Sequence, residues 1–200
     1  MSINILKVFI FVVATICSAV SAPAVFAFDL AIHGDSTGRG HGAQTKWFQQ
    51  LDQFADAAAV ENFARDRNSI TGAAKLVEAN PLPQHVTIVY DRRNAGETVD
   101  DYIDTLHEIA DTLGNGRFLI LPQVPVSGGR EDGLTLPILL EINERIRAEF
   151  PANTFDQSLE ADFLAALADD ETRADRIHRN DAGQRIEAEY ICEWLSSQDW

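Results

Sequence analysis

Cysteine is nearly absent from this chain, which holds only Cys17 and Cys192. Basic residues are scarce too: 16 Lys and Arg face 31 Asp and Glu, a formal net charge of -15. A surface of that sign repels nucleic-acid phosphates and anionic lipid heads, so no nucleic-acid partner is expected. A long apolar run is also missing. The stretch 8–20 falls short of the roughly 20 residues needed to cross a bilayer. With Lys7 ahead of it and Ala24-Val25-Phe26-Ala27 behind, it has the charged, apolar and small-residue regions of a secretory signal. The expectation is cleavage after Ala27, with residues 1–27 as leader and 28–200 as one globular domain. Such a chain is exported, periplasmic or secreted, and has no stable membrane insertion after cleavage. Cys192 would then be the only thiol of the mature chain, a small buried hydrophobe that forms no internal disulfide.

What is present is an alternation of strand and helix patterns. Phe28-Asp-Leu-Ala-Ile-His reads as a short strand that ends in a Gly34-Asp35-Ser36 turn and runs on into a helix. Trp47, Phe48, Leu51, Phe54 and Ala55 share a helical face. Residues 58–63 read as a second strand, and Gly72 falls between its exit and the next helix. His85-Val-Thr-Ile-Val-Tyr90 is a β-branched strand. Thr98 caps a helix that Gly114 stops. Residues 117–122 form a further strand, a helix runs from about Pro137 towards Pro151, and residues 154–156 read as a last brief strand. Asn180 or Asp181 caps the final helix. This alternation predicts a mostly parallel sheet covered by helices on both faces. In such sheets ligands sit outside the carboxyl ends of the strands, so the strand-to-helix loops carrying Ser36, Gly72, Asn94 and the Asp175/His178 pair open at one edge.

The residue types at that edge suit nucleophilic catalysis. A serine hydroxyl attacks well only when a base takes its proton. His178 is the candidate base, and Asp175, three residues earlier, is placed to hold its tautomer. The main-chain N–H groups of Ser36 and Gly72, with the side-chain amide of Asn94, form the expected oxyanion donors. Asp35 is expected to organise the turn by accepting main-chain hydrogen bonds, and His33 and Trp47 to pack. His41 either lines the entrance or faces solvent. Arg92 and Arg93 stand just before Asn94 and are candidates for contact with substrate or a site carboxylate. No phosphate-binding glycine loop, dinucleotide fingerprint or completed metal shell is present in the sequence, so no cofactor and no metal is expected.

These pieces stand in a familiar order. The chain resembles the SGNH hydrolases, the GDSL-like esterases and lipases, in Gly34-Asp35-Ser36, in Gly72 of the second block, and in Asp175-Arg-Ile-His178-Arg-Asn180. The third block departs from the family's Gly-x-Asn-Asp, reading Arg92-Arg93-Asn94-Ala95 here. The resemblance implies a three-layer α/β/α flavodoxin-like sandwich with a mostly parallel five-stranded sheet. It also implies Ser36 as nucleophile, His178 as base, Asp175 as its partner, and an oxyanion hole of Ser36, Gly72 and Asn94. The expected activity is hydrolysis of carboxylic esters through an acyl-enzyme, on a small-molecule or polysaccharide ester. Short acyl groups such as acetyl on carbohydrate are favoured because no long apolar lid segment is evident. Lysophospholipid or thioester hydrolysis stands as an alternative within the fold. A non-catalytic carbohydrate-binding protein that keeps the scaffold is the alternative from another class.

Overall fold

A computed structural model describes residues 28–54, 57–93, 96–125 and 136–199. Among these, four strands form one parallel sheet: β1 (Phe28–Gly34), β2 (Ala57–Asn62), β3 (Val86–Tyr90) and β4 (Phe118–Ile120), ordered β2-β1-β3-β4. The helices are α1 (Trp47–Gln50), α2 (Ile70–Ala79), α3 (Val99–Leu113), α4 (Leu136–Glu149), α5 (Gln157–Ala166) and α6 (Asp181–Ser196). Short 3-10 turns add Leu51–Gln53 and Asp170–Thr172.

Strand alternation divides the core in two. Leu30, Ile32, Val86, Ile88, Tyr90 and Leu119 pack with Trp47, Phe163, Ile191 and Trp194 on the face covered by α1, α5 and α6. Val89, Phe118 and Ile120 turn to the other face, against Ile70, Tyr102, Ile103, Leu106 and Ile142 of α2, α3 and α4. Helices on both faces bury the central strand β3 along its whole length, which explains its run of apolar, aromatic and β-branched residues, whereas the edge strand β2 exposes Ala59 and Glu61.

Local chemistry sets the element ends. Thr98 and Asp101 exchange hydrogen bonds in a capping box at the start of α3 (3.0 and 3.2 Å), and Gly114 closes it in the left-handed region at φ +59°. Asn180, not Asp181, caps α6, accepting from the N–H groups of Ala182 and Gly183. The expected fifth strand is corrected. Residues 153–155 run beside β4 with one main-chain bond, from Ile120 N–H to Asn153 C=O, but form no ladder. Asn153 and Thr154 direct their side chains to the main-chain carbonyls around β4 instead. The opening serine turn does not run straight into a helix either: turns occupy residues 36–42, and α1 begins only at Trp47.

The strand order fixes where a ligand can sit. From β1 the chain first steps to β2 on one side, then crosses to β3 on the other. The order in which strands are added therefore reverses between β1 and β3, and a crevice opens outside their carboxyl ends. Ser36 follows β1 and Asp91 follows β3, both at that crevice.

Candidate active site

The nucleophile turn is built by close approach. Gly34 pairs with Tyr90, and a Cβ on Gly34 would lie 1.9 Å from the Tyr90 carbonyl oxygen, so any side chain is excluded. Asp35 is buried, and one carboxyl oxygen accepts the Thr37 N–H at 2.7 Å and also the Thr37 hydroxyl. The N–H groups of Arg39, Gly40 and His41 bond back to Asp35, Thr37 and Ser36. Together these hold Ser36 half-exposed at the end of β1.

The second half of the site is a tight loop between Arg173 and Arg179, which bridge antiparallel. Ala174 N–H bonds the His178 carbonyl at 3.0 Å and closes it. Inside the loop, Asp175 Oδ1 accepts the N–H groups of Ile177 and His178, each at 2.7 Å. Its Oδ2 accepts from His178 Nδ1 at 2.7 Å, and the other ring nitrogen, Nε2, lies 2.9 Å from Ser36 Oγ. A carboxylate can only accept, so Nδ1 carries the ring proton and Nε2 is left as acceptor for the serine hydroxyl. Partial burial pushes the Asp175 carboxyl up. The three hydrogen bonds from His178 and Ile177 outweigh it and bring the group down to about 2, which keeps it ionised.

The loop after Ser36 docks onto the histidine loop and α6. Asp181 accepts from the Gln44 and Thr45 N–H groups, and the Gln184 side-chain oxygen accepts from Trp47 N–H at 2.8 Å. Gly42, at φ +95°, packs where a Cβ would come within 2.8 Å of His178 Cβ and the Arg179 carbonyl. His41 is exposed, with its ring centroid 4.4 Å from that of His178 and its Nδ1 3.6 Å from Asp66 Oδ1. Trp47 is fully buried, its indole N–H donating to the Gly38 carbonyl. His33 is buried and stacked on Phe63, and burial lowers it to about 4, so it stays neutral. Cys192 is buried on the α6 face, and burial raises its thiol to about 11.

Gly72 is not where the sequence placed it. It lies in the first turn of α2, and its N–H is taken by the Ser69 hydroxyl at 3.2 Å. A Cβ there would stand 2.0 Å from Asn68 Oδ1, so the glycine makes room for Asn68, whose amide reaches the Gly34 carbonyl at 3.2 Å. Residues 65–68 instead form a turn held against Gly34, two residues before Ser36. Arg65 N–H bonds the Gly34 carbonyl, Asn68 N–H bonds Arg65, and Asp66 pairs with Arg39 at 2.7 Å. At this turn Arg67 takes φ +62°, the only positive φ outside glycine among the described residues. Neither the Ser36 N–H nor the Arg67 N–H donates to another described residue. Sequence reading passed over Arg67 because a left-handed turn is ordinarily signalled by Gly, Asn or Asp.

Asn94 lies outside the described residues, as does Ala95. Arg93 is buried and tied down, its N–H donating to the Gln123 side chain and its guanidinium to the Glu97 carbonyl. Arg92 is half-buried and lines a small recess, with a cavity volume of about 20 Å³, beside Thr37 and Ile177, the chain neighbours of Ser36 and His178. Among the described residues, no group of three or more His, Cys, Asp or Glu side chains could hold a metal ion.

Comparison with solved structures places this architecture. A lipolytic protein of the G-D-S-L family from Veillonella parvula superposes with a TM-score of 0.66 at 20% identity, covering 85% of this chain and 99% of its own. The fold is that of the G-D-S-L lipolytic proteins. A lipase/acylhydrolase from Enterococcus faecalis gives 0.67 at 16% identity, over 84% and 95% of the two chains. The acetyl-xylooligosaccharide esterase Axe2 of Geobacillus gives 0.63 at 16%, over 90% and 98%. No family model and no curated protein matches the sequence.

Proposed function

We propose that this chain is a serine esterase of the SGNH class, with Ser36 as nucleophile, His178 as general base and Asp175 as the group that holds the imidazole. The observation that carries the proposal is the unbroken relay from Ser36 Oγ to His178 Nε2, 2.9 Å, and from His178 Nδ1 to Asp175 Oδ2, 2.7 Å. A scaffold kept only for binding has no need of a hydroxyl, an imidazole and a depressed carboxylate aligned in this way. His178 takes the hydroxyl proton as Ser36 Oγ bonds to the acyl carbon, and the carbonyl oxygen becomes an oxyanion. The C–O bond to the alcohol then breaks, and the alcohol leaves with the proton from His178. Water, deprotonated by the same ring, attacks the acyl-serine, and Ser36 regains its proton as the acid departs.

The oxyanion needs donors already pointed at it. With the Gly72 N–H spent on Ser69, the main-chain set is Ser36 N–H and Arg67 N–H, and the resemblance adds the Asn94 amide. Arg67 holds the left-handed region at φ +62°, at a cost of about 1–2 kcal/mol.

Short acyl groups, including acetyl on carbohydrate, suit the small recessed pocket beside the nucleophile. The likeness in fold to an acetyl-xylooligosaccharide esterase points the same way. Export, with residues 1–27 as a cleaved leader, is proposed on the sequence pattern. Among the described residues no helix is long and apolar enough to cross a membrane. The test is a p-nitrophenyl ester series of rising chain length, run beside acetylated sugars. Fastest turnover on the shortest acyl groups, lost in Ser36→Ala, is the expected result. Faster turnover on long chains would overturn the short-acyl preference, and no turnover on any ester would overturn the activity.

A further inference from the structure

A second imidazole stands against the catalytic one, and the acyl-transfer steps above do not use it. The main chain of His41 is fixed to the nucleophile turn, its N–H donating to the Ser36 carbonyl at 2.9 Å. On one side of it the Gly40 N–H bonds the Thr37 carbonyl at 2.9 Å, and on the other Gly42 packs on His178. A residue pinned in this way has little freedom to swing out of the site.

The side chain is held as well. Its ring centroid lies 4.4 Å from that of His178, with the planes inclined at 45°. Nδ1 faces Asp66 Oδ1 at 3.6 Å, and the other oxygen of Asp66 takes the Arg39 guanidinium at 2.7 Å. Three segments thus hold the ring: the loop after β1, the turn after β2, and the histidine loop. A carboxylate only accepts, so Asp66 favours the proton on Nδ1 and leaves Nε2 as an acceptor. That nitrogen makes no hydrogen bond with a described residue. The His41 side chain is 51% exposed, whereas that of His178 is 15% exposed. The outer ring is therefore open to a ligand where the inner one is nearly covered.

Position decides which part of an ester would meet it. The leaving alcohol takes its proton from His178 Nε2, the atom 2.9 Å from Ser36 Oγ. Substituents of that alcohol therefore depart beside the ring that lies on His178. We infer that His41 is a specificity residue on the alcohol side, its Nε2 accepting from a hydroxyl on the carbon next to the one that bears the ester oxygen. The favoured leaving group is then a vicinal diol, the pattern of sugars and glycerol, and not a simple alkanol. This rests on the esterase reading above and narrows its alcohol. A site that offers a partner to a substrate hydroxyl discriminates against the analogue that lacks it.

The test compares kcat/KM for 2-hydroxyethyl acetate and propyl acetate, which share an acyl group and a chain length. Each value is divided by the rate of hydroxide-catalysed hydrolysis of that ester. The wild type should favour the hydroxyethyl ester about fivefold, the equivalent of one neutral hydrogen bond. His41→Phe keeps an aromatic ring against His178 without a ring nitrogen. It should bring the ratio towards one, chiefly through the hydroxyethyl ester. A wild-type ratio near one overturns the inference, and so does an unchanged ratio in a folded His41→Phe protein. An equal loss on both esters also overturns it, because that marks a ring that only positions His178. Binding of the two esters to Ser36→Ala, followed through the NMR signals of the His41 ring, decides the matter without turnover. Tighter binding of 2-hydroxyethyl acetate is expected, and equal binding overturns the inference. If the wild type cleaves neither ester the esterase reading fails, while the binding comparison still reports on His41.

Discussion

Exchanging Asp175 for asparagine separates the chemistry of the relay from its architecture. Asparagine keeps an oxygen where Oδ1 accepts the N–H groups of Ile177 and His178, so the loop retains both 2.7 Å bonds. At the Oδ2 position it presents an N–H₂ donor to His178 Nδ1, now at 2.7 Å from a carboxylate oxygen. The ring must then accept at Nδ1 and carry its proton on Nε2, the nitrogen that faces Ser36. That tautomer cannot take the serine proton, and the expected loss in kcat is about 10⁴-fold. The stability cost is small by comparison. Asp175 gains its folded-state stabilisation by a depressed carboxyl, so this contribution is present above the ordinary value of 3.8 and lost as pH falls towards about 2. Its side chain is 52% exposed, and solvent screening keeps the ionic part below about 1 kcal/mol. Steady-state kinetics on p-nitrophenyl acetate and a thermal melt at pH 7 measure both numbers. Activity within about tenfold of wild type, with a melt shifted by only a few degrees, would refute the tautomer argument.

Other consequences follow from single residues. Glu187, 1% exposed, is pushed up to about 7 by burial, against the hydrogen bond from Tyr90 and the charge of Arg179. The protonated folded form is favoured, so its contribution is full below about 4.5 and is lost as pH rises through about 7, on the order of 2–3 kcal/mol. Denaturant titrations at pH 5 and 8 should show that loss in the wild type and a flatter profile in Glu187→Gln. Gly42→Ala should place a Cβ against His178 and cut kcat by about tenfold or more, since small misplacements of a base are costly; unchanged kcat would mean the two loops are not rigidly docked. Arg67→Gly should preserve turnover because only the main-chain N–H is used, whereas Arg67→Pro, which lacks that N–H, should cost about 10²-fold in kcat. A large loss in Arg67→Gly would instead implicate the side chain.

The sequence made some parts of this molecule legible and hid others for identifiable reasons. Asp175 and His178 are three residues apart and could be paired on paper, because a single turn brings such neighbours together. The layers were legible because Leu30, Ile32, Val86 and Ile88 alternate with residues facing the opposite helices. Gly72 misled because a glycine after a strand suggests ligand access. Its actual constraint, the Asn68 side chain, is visible only once α2 is seen to start at Ile70. Arg67 was hidden by its identity, since nothing about an arginine announces a left-handed backbone. Residues 154–156 carry enough β-branched and aromatic character to suggest a strand. The side chains of Asn153 and Thr154 satisfy the end of β4 without extending the sheet.

Labelling by a serine-directed phosphonate, read by intact-mass and peptide mass spectrometry, tests the assignment of Ser36 most directly. One adduct per chain, located on Ser36, absent from Ser36→Ala and strongly slowed in His178→Ala, is the expected result. A folded wild type that takes up no adduct, or takes it up at another residue, would contradict it.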